Sequence, residues 1–162
     1  MKARWRSLAI IGAVVVLDRV TKLYIRSHLS QMETIPVISG FFNIVHTENP
    51  GAAFGFLSEA NTDWRRIFLV AISLIVMAVI APLLVRAQGS ALMQTGLALI
   101  FGGASGNLWD RLTRGTVTDF LQFFFGSYEF PSFNVADSAI TIGAALLLID
   151  LWLSERSRRD SR

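Results

Sequence analysis

Four long apolar stretches limit what this chain can fold into. A helix needs about 20 apolar residues, in a range of about 17–25, to cross the hydrocarbon core of a membrane. Stretches of this kind occur at about residues 8–26, 66–85, 91–109 and 137–154. The chain is 52% hydrophobic and 17% charged, whereas soluble domains carry roughly 25% charged residues. We therefore predict an all-α membrane protein with four transmembrane helices, folded as a single integral-membrane domain over residues 1–162.

The first apolar stretch follows the basic segment KARWR, a combination that is also typical of a cleaved signal peptide. However, Asp18 and Arg19 lie inside the stretch, and no A-x-A cleavage site follows it. We expect an uncleaved helix.

Basic residues indicate the orientation of the helices. An even number of spans puts both termini on one side of the membrane, and basic residues are enriched on the cytoplasmic side. The contrast is imperfect, because Arg65, Arg66, Arg111 and Arg114 fall on the other side. We predict cytoplasmic termini and two outward-facing segments, at about 27–63 and 110–136. The basic residues on the predicted cytoplasmic side are Lys2, Arg4, Arg6, Arg86, Arg156, Arg158, Arg159 and Arg162.

The first outward segment contains TIPVISGFFNIVHTENPGAAFGF, which is rich in β-branched and aromatic residues. Pro36, Gly40 and the turn-like Asn49-Pro50-Gly51 interrupt it, a pattern that favours short strands over helix. We predict a small β-sheet on the outer membrane surface. Asn49-Pro50-Gly51, with the small residues that follow, is either a tight turn or a place where the backbone approaches a ligand closely.

Two carboxylates are the candidate catalytic groups. Asp119 lies in RGTVTDFLQFFF, which we expect to be a loop, and Asp137 opens the fourth apolar stretch in FNVADSAI. Both are predicted near the outer interface, in surroundings poor in water. Two carboxylates brought close there cannot both ionise cheaply, so one holds a proton while the other stays charged. Such a pair can activate water to attack a peptide bond.

Structural roles explain the same residues without catalysis. Asp137 also suits a helix N-cap, because Asp is a favoured capping residue and its charge suits the helix dipole. Asp119 could be an ordinary loop carboxylate paired with Arg111 or Arg114. Spacing along the sequence does not decide between these roles.

GGASGNLWDR, at the end of the third apolar stretch, supplies further polar residues. Asn107 and Arg111 are four residues apart and share a helix face if the helix continues that far. Asp110 points elsewhere, and we do not expect it to be catalytic. Gly102 and Gly106 have the G-x-x-x-G spacing that lets helices approach closely, and packing is the expected role.

Asp18 and Lys22 are charged residues inside the first apolar stretch. Their i, i+4 spacing is typical of an internal ion pair that fixes helix packing. Lys22 as a general base for a serine is not supported, since no Ser has a suitable context. A small transporter or proton conduit that uses Asp18, Lys22 and Asp150 is the alternative function. His28 and His46 are isolated and are expected to be structural or surface residues.

Five stretches, taken in order, resemble the bacterial lipoprotein signal peptidase family, the membrane aspartic peptidases also called signal peptidase II. Together they span nearly the whole chain. The probability that all five would occur in this order by chance is very small. The stretches are DRVTK from Asp18, NPGAAFGF from Asn49, GGASGNLWDR from Gly102, GTVTDF from Gly115 and FNVADSAI from Phe133.

The resemblance implies catalytic roles for Asp119 and Asp137. It also implies removal of the signal peptide from a prolipoprotein, with cleavage before a cysteine that already carries a diacylglyceryl group. The fold it implies has a small periplasmic sheet that cradles the substrate, in a multi-pass protein of the inner (cytoplasmic) membrane with the active site toward the periplasm. Globomycin-type cyclic peptides are the implied inhibitors. Supporting residues in matching positions are Asp18, Lys22, Asn49, Gly51, Asn107, Arg111 and Asn134.

Other classes of chemistry are not expected. The chain has no Cys, which removes thiol catalysis and disulfides. We expect no metal or other cofactor, because no His and carboxylate residues have ligand spacing. We expect membrane lipid, and not nucleic acid, as a partner. We also predict that a monomer supplies the whole site. Two residues depart from the family pattern: Pro50, where Thr is common, and Thr118, where an apolar residue is expected.

Overall fold

The computed structural model describes residues 2–51 and 62–160. In this part of the chain, a helix precedes and follows each of two antiparallel strand pairs. In chain order the elements are α1 (Lys2–His28), β1 (Thr34–Ile38), β2 (Phe42–Asn49), α2 (Thr62–Arg86), α3 (Ala91–Thr113), β3 (Val117–Phe125), β4 (Tyr128–Phe133) and α4 (Val135–Asp160).

α3 is the central helix and packs against α1, α2 and α4. The G-x-x-x-G pair faces α1. A Cβ atom at Gly102 would lie 3.0 Å from the Cβ atom of Val14, and one at Gly106 would lie 2.5 Å from Oδ2 of Asp18. Neither position leaves room for a side chain, so the predicted packing role of these glycines is correct.

The polarity of the helical bundle is the reverse of that in a soluble protein. Apolar side chains face outward on the helices, for example Val16, Ile75 and Leu148, which are 59%, 62% and 68% exposed. Soluble proteins bury such residues and leave charges outside, so this outer surface suits a lipid environment. The largest side chains that are fully buried are all polar or charged: Lys22, Gln94, Asn134, Thr118, Asp18 and Asp110.

Two helical segments in the described part of the chain are long and apolar enough to cross a membrane, by length and composition. They are Asp63–Arg86 and Val135–Arg159, which correspond to the second and fourth predicted spans. The described residues of α1 and α3 contain no segment that meets the same test. α1 carries Asp18, Arg19 and Lys22 within its apolar stretch, and α3 contains many glycines and polar residues.

The four strands form one antiparallel sheet in the order β1-β2-β3-β4. The prediction of strands in the first outward segment is correct for β1 and β2, whereas the strands of the second segment were not predicted. Ala52, Ala53 and Phe54, which follow the predicted turn at Asn49-Pro50-Gly51, lie outside the described residues.

The helices extend beyond the predicted apolar spans. α3 ends at Thr113 rather than near 109, so that Asp110 and Arg111 belong to the helix and not to the predicted outward segment 110–136. The chain then turns at Gly115, where φ is +81°. The other helices also extend past the predicted ends, because charged residues flank each apolar stretch and remain compatible with helix once they reach polar surroundings.

Candidate active site

Asp119 and Asp137 line the same cleft, which has a volume of about 680 Å³. Asp119 lies on β3, not in the loop predicted for it, and Asp137 lies in the first turn of α4. Asp119 is 2% exposed, while Asp137 is half-buried. The alternative ion pair of Asp119 with Arg111 or Arg114 is not among the salt bridges of the described residues.

Burial raises the pKa of Asp119 to about 7, and the nearby charge of Asp137 contributes in the same direction. Hydrogen bonds from Asn49 and Asn134 and the charge of Lys22 oppose this rise. A carboxyl group with this pKa is largely protonated in slightly acidic solution and partly protonated in neutral solution. Two carboxyl groups that influence each other in this way can share one proton between them.

Three asparagines direct their NH₂ groups at the two carboxylates. Asn49 Nδ2 donates to Asp119 Oδ2 at 2.9 Å, and Asn134 Nδ2 donates to Asp119 Oδ1 at 2.7 Å. Asn107 Nδ2 donates to Asp137 Oδ1 at 2.7 Å. The two elements that carry the aspartates are therefore held by amide donors from β2, α3 and the start of α4.

The oxygen atom of each amide is engaged by a different donor. Asn49 Oδ1 accepts from the Gly51 N–H at 2.9 Å, and Asn107 Oδ1 accepts from Lys22 Nζ at 3.0 Å. Asn134 Oδ1 accepts from the Asp137 N–H at 2.9 Å. Since backbone N–H groups and an ammonium group can only donate, each amide has one orientation. The NH₂ groups must therefore face the two carboxylates.

Asn134 and Asp137 cap α4 reciprocally. Asn134 Oδ1 accepts from the Asp137 N–H, and Asp137 Oδ2 accepts from the Asn134 N–H at 3.2 Å. This is the geometry of a capping box, with Asn at the N-cap and Asp three residues later. Asn134, and not Asp137, is the N-cap residue. Asp137 nevertheless takes part in the cap, so its structural role and a catalytic role are compatible.

Asp18 and Lys22 form the predicted ion pair, with Lys22 Nζ 2.8 Å from Asp18 Oδ2. Asp18 Oδ1 also accepts from the backbone N–H of Ala136 at 3.0 Å, at the start of α4. Lys22 Nζ contacts Asp110 Oδ2 at 2.9 Å. The buried lysine thus joins two carboxylates and the Asn107 amide, which explains how its charge is tolerated inside the bundle.

Arg111 and Gly51 lie together at the edge of the cleft. Arg111 Nη2 donates to the carbonyl O of Gly51 at 3.3 Å. Arg111 shares a face of α3 with Asn107, as the spacing predicts, and both line the cleft. Gly51 is buried and supplies backbone groups to Asn49 and Arg111.

Most of the remaining cleft wall is apolar, with a few serine and threonine side chains among the aliphatic ones. The carboxylates lie at its polar side, and α2, α3 and α4 supply branched aliphatic side chains to its wall. A pocket with a few convergent polar groups in an apolar wall is typical of a binding or catalytic site. The aliphatic wall residues are Leu69, Ile72, Val76, Ile100, Ile140 and Ile142.

Sequence reasoning gave no role near the site to four polar residues, namely Arg26, Glu48, Asp110 and Thr118. Asp110 is fully buried and accepts from Arg19 and Arg26 as well as from Lys22. Glu48 and Thr118, on the sheet, form a second group with Arg26 of α1. The available signal was the series of cationic residues Arg19, Lys22 and Arg26 on α1. Cationic side chains within a buried helix need anionic partners.

Asp150, which suggested a conduit, is explained by local structure. Its Oδ1 accepts a hydrogen bond from Ser90, the residue that caps the N-terminus of α3. Asp18 and Lys22 are likewise paired with each other. Of the isolated histidines, His28 stacks on Tyr24 and His46 contacts the carbonyl O of Leu29.

An apolar outer surface, a polar interior and a cleft among the helices define this chain as a helical membrane protein. A model of the signal peptidase (SPase) II family matches residues 10–153. The chain belongs to the signal peptidase II family and is a peptidase.

Similar proteins cover nearly all of the chain. Lipoprotein signal peptidases from Solibacter usitatus and Geobacter metallireducens are each 44% identical to it. The first similarity covers 94% of both chains, and the second covers 96% of both. A bacterial membrane enzyme structure determined by the in meso method at 2.3 Å resolution superposes with a TM-score of 0.83 at 36% identity. That superposition covers 94% of this chain and 90% of the other.

Proposed function

We propose that this chain is an aspartic endopeptidase that removes signal peptides from prolipoproteins whose cysteine already carries a diacylglyceryl group. It cuts the peptide bond on the N-terminal side of that cysteine. One observation carries the proposal: Asp119 and Asp137 line a single cleft whose wall is otherwise mostly apolar. The family relatives named lipoprotein signal peptidase support the choice of substrate.

In the proposed reaction, a water molecule is bound between the two carboxyl groups. Asp137 takes a proton from this water, and the water oxygen attacks the carbonyl carbon of the scissile bond. Asp119 donates its proton to the carbonyl oxygen, which the rise of its pKa to about 7 supports. The tetrahedral intermediate then collapses, the C–N bond breaks, and the proton on Asp137 passes to the leaving amine. Asp119 regains its proton from the hydroxyl group that becomes the new carbonyl.

The polar neighbours have binding and positioning roles in this proposal. Asn49 and Asn134 keep Asp119 in place, and Asn107 does the same for Asp137, through the hydrogen bonds described above. Arg111 and Gly51 lie at the cleft edge, where they can hold the substrate backbone. Asp18 and Lys22 support the start of α4 and the Asn107 amide.

The apolar wall of the cleft suits acyl chains. Burial of aliphatic surface contributes about 25 cal/mol per Å², so a groove between α2 and α4 can bind a lipid group that reaches it from the bilayer. Globomycin-type cyclic peptides are expected to compete for the same cleft. One chain supplies all the residues invoked, which supports a monomer as the active species.

Aromatic residues support four spans rather than two. About 28 Å of helix at 1.5 Å per residue separates Trp5 from Tyr24 on α1, close to the roughly 30 Å of a hydrocarbon core. Both are exposed, as are Trp109 at the sheet end and Trp152 at the other end of the bundle. Trp and Tyr are enriched at both membrane interfaces. We propose that all four helices cross the inner membrane.

The proposed orientation has the termini in the cytoplasm and the sheet and cleft toward the periplasm. Exposed arginines at the terminal end of the bundle support it, since basic residues favour the cytoplasmic side. These are Arg4, Arg6, Arg86, Arg156, Arg158 and Arg159.

The experiment uses the purified chain with one prolipoprotein in two forms, with and without the diacylglyceryl group. We expect cleavage of the modified form alone, and mass spectrometry should locate the cut directly before the modified cysteine. Addition of a globomycin-type peptide should inhibit it. Equal cleavage of both forms, or a cut elsewhere, would contradict the proposed substrate.

A further inference from the structure

A second polar cluster lies where α1 meets the sheet, on the face opposite the cleft. We call it the rear cluster, and it consists of Arg26, His46, Glu48, Thr116 and Thr118. Thr118 is fully buried, and the side chains of Arg26 and Glu48 are 10% and 14% exposed. No step of the proposed reaction uses these residues.

Thr118 is the centre of the rear cluster. Its Oγ1 accepts from Arg26 Nε at 2.7 Å and donates to Glu48 Oε1 at 2.7 Å. Glu48 Oε2 accepts from Thr116 Oγ1 at 2.5 Å, and His46 Nε2 lies 3.2 Å from Glu48 Oε1. Burial alone would raise the pKa of Glu48, but these hydrogen bonds and the charge of Arg26 lower it. Glu48 is therefore held as a carboxylate.

The rear cluster lies directly behind the candidate catalytic residues. Glu48 pairs with Thr118 across β2 and β3, and the next residues, Asn49 and Asp119, are joined by a 2.9 Å hydrogen bond on the cleft side. Successive side chains of a strand point to opposite faces. A shift of the strand that moved Thr118 would therefore move Asp119 as well.

The register of β2 against β3 needs such a restraint. The pairing changes between Ile44 and Thr47, where β2 has one residue more than β3. A one-residue slip would turn Asp119 away from the cleft. The hydrogen bonds between Glu48 and the two threonines are specific to the observed register.

Arg26 also connects the rear cluster to the other aspartate. Its Nη2 donates to Asp110 Oδ1 at 2.9 Å, and Asp110 Oδ2 contacts Lys22. Lys22 donates to Asn107, whose NH₂ group donates to Asp137. A continuous chain of charged and polar contacts thus runs from the strand that carries Asp119 to the helix that carries Asp137.

We propose that Arg26, Glu48 and Thr118 are positioning residues that set the register of β2 on β3 and so hold Asp119 opposite Asp137. The inference rests on the proposed function, because it assumes that this pair performs the reaction. The three residues do not touch the substrate. Their effect is expected on the chemical step and not on substrate binding.

The test compares two substitutions of Thr118. Thr118→Val keeps the shape of the side chain but lacks the hydroxyl group, whereas Thr118→Ser keeps the hydroxyl group. Misplacement of a catalytic group by about 1 Å can cost on the order of 100-fold in rate. For Thr118→Val we expect kcat to fall by about 10- to 100-fold with KM changed less than about 3-fold. Thr118→Ser should restore most of kcat.

Thr113→Val is the matched control, because Thr113 is exposed and its hydroxyl group donates to the carbonyl O of Trp109 on its own helix. It should leave both constants unchanged. If Thr118→Val does not fold, Glu48→Gln replaces it, with the same split between kcat and KM expected. Folding of each variant is followed by thermal unfolding in detergent.

Wild-type constants in the folded Thr118→Val or Glu48→Gln variant would overturn the inference. So would equal losses in Thr118→Val and Thr118→Ser, or a loss confined to KM. Asp119→Asn is measured in parallel. If Asp119→Asn still cleaves, the proposed function itself fails. If Asp119→Asn is inactive while Thr118→Val matches wild type, only the positioning inference fails.

Discussion

At the scale of single residues, the environment of Asp119 is the feature on which the proposed chemistry depends. Burial and the charge of Asp137 raise its pKa to about 7, against the hydrogen bonds of two asparagines. The oriented NH₂ groups of Asn49 and Asn134 still hold both of its oxygen atoms in place. A proton can therefore reside on Asp119 without loss of its position.

The pH dependence of activity follows from this pKa. Since Asp119 must carry a proton to act as the acid, we expect kcat/KM to fall as the pH rises above about 7. The change should follow a single ionisation for that limb of the pH profile. A rate that stays constant up to pH 9 would contradict the assignment of the acid.

The same pKa predicts how stability depends on pH. Its folded value lies above the ordinary value of 3.8, so the protonated form is favoured on folding. This contribution is fully present below about pH 4 and is lost as the pH rises through about 7, an effect on the order of 4 kcal/mol at most. Asp119→Asn should therefore gain stability relative to wild type across this window. If the difference in unfolding free energy between Asp119→Asn and wild type does not change with pH, the raised pKa of Asp119 is contradicted.

At the scale of the elements, the start of α4 depends on close approach to α3. A Cβ atom at Gly103 would lie 2.4 Å from the carbonyl O of Ala136 and 2.8 Å from Cγ1 of Ile140. Ala136 directly precedes Asp137, and its N–H is bound by Asp18. The position of Asp137 thus depends on the absence of a side chain on the neighbouring helix.

Gly103→Ala should separate α3 and α4 beside Asp137. Overpacking of this kind costs about 1–3 kcal/mol, and we expect a lower unfolding temperature together with reduced cleavage. Gly12→Ala is the matched control, since a Cβ atom there would have nothing within 4 Å. It should be neutral or stabilise by roughly 0.5–1 kcal/mol. Equal effects of the two substitutions would contradict the packing argument.

Helices and strands could be predicted from the sequence where apolar runs were long. They were harder to predict where tertiary contacts determine the local structure. The cores of all four helices and the strands β1 and β2 could be predicted from composition and turn residues. The end of α3 could not, because Asp110 and Arg111 look like solvent-facing residues until their buried partners are known. Asp119 was assigned to a loop although VTDFLQFFF is rich in β-branched and aromatic residues, as strands are.

At the scale of the whole molecule, the reversed polarity of the bundle determines where the protein resides. Its apolar exterior and charged interior suit a membrane, and the family and the superposed membrane enzyme agree. The sequence predicted a mostly helical membrane protein with a small sheet, and it predicted that the two aspartates lie near the same membrane interface. It could not predict the contacts between them, because side chains of β2, β3, α3 and α4 meet only through tertiary packing.

The proposed placement of all four helices in the bilayer predicts depths that can be measured. In a background with the four tryptophans changed to Phe, single tryptophans restored at 5 or 109 should be quenched most by lipids brominated near the headgroup. Ile75→Trp, in the middle of α2, should be quenched most by lipids brominated near the chain ends. Headgroup-depth quenching at position 75 or chain-end quenching at 109 would contradict the placement.

The most direct measurement of the central claim is the cleavage rate of a diacylglyceryl-modified prolipoprotein by folded wild type, Asp119→Asn and Asp137→Asn. If the two carboxyl groups act together on one water, each substitution alone should reduce kcat to near the background rate while the protein stays folded. The double variant should be no slower than either single variant. Cleavage at the wild-type rate by either single variant would contradict the claim.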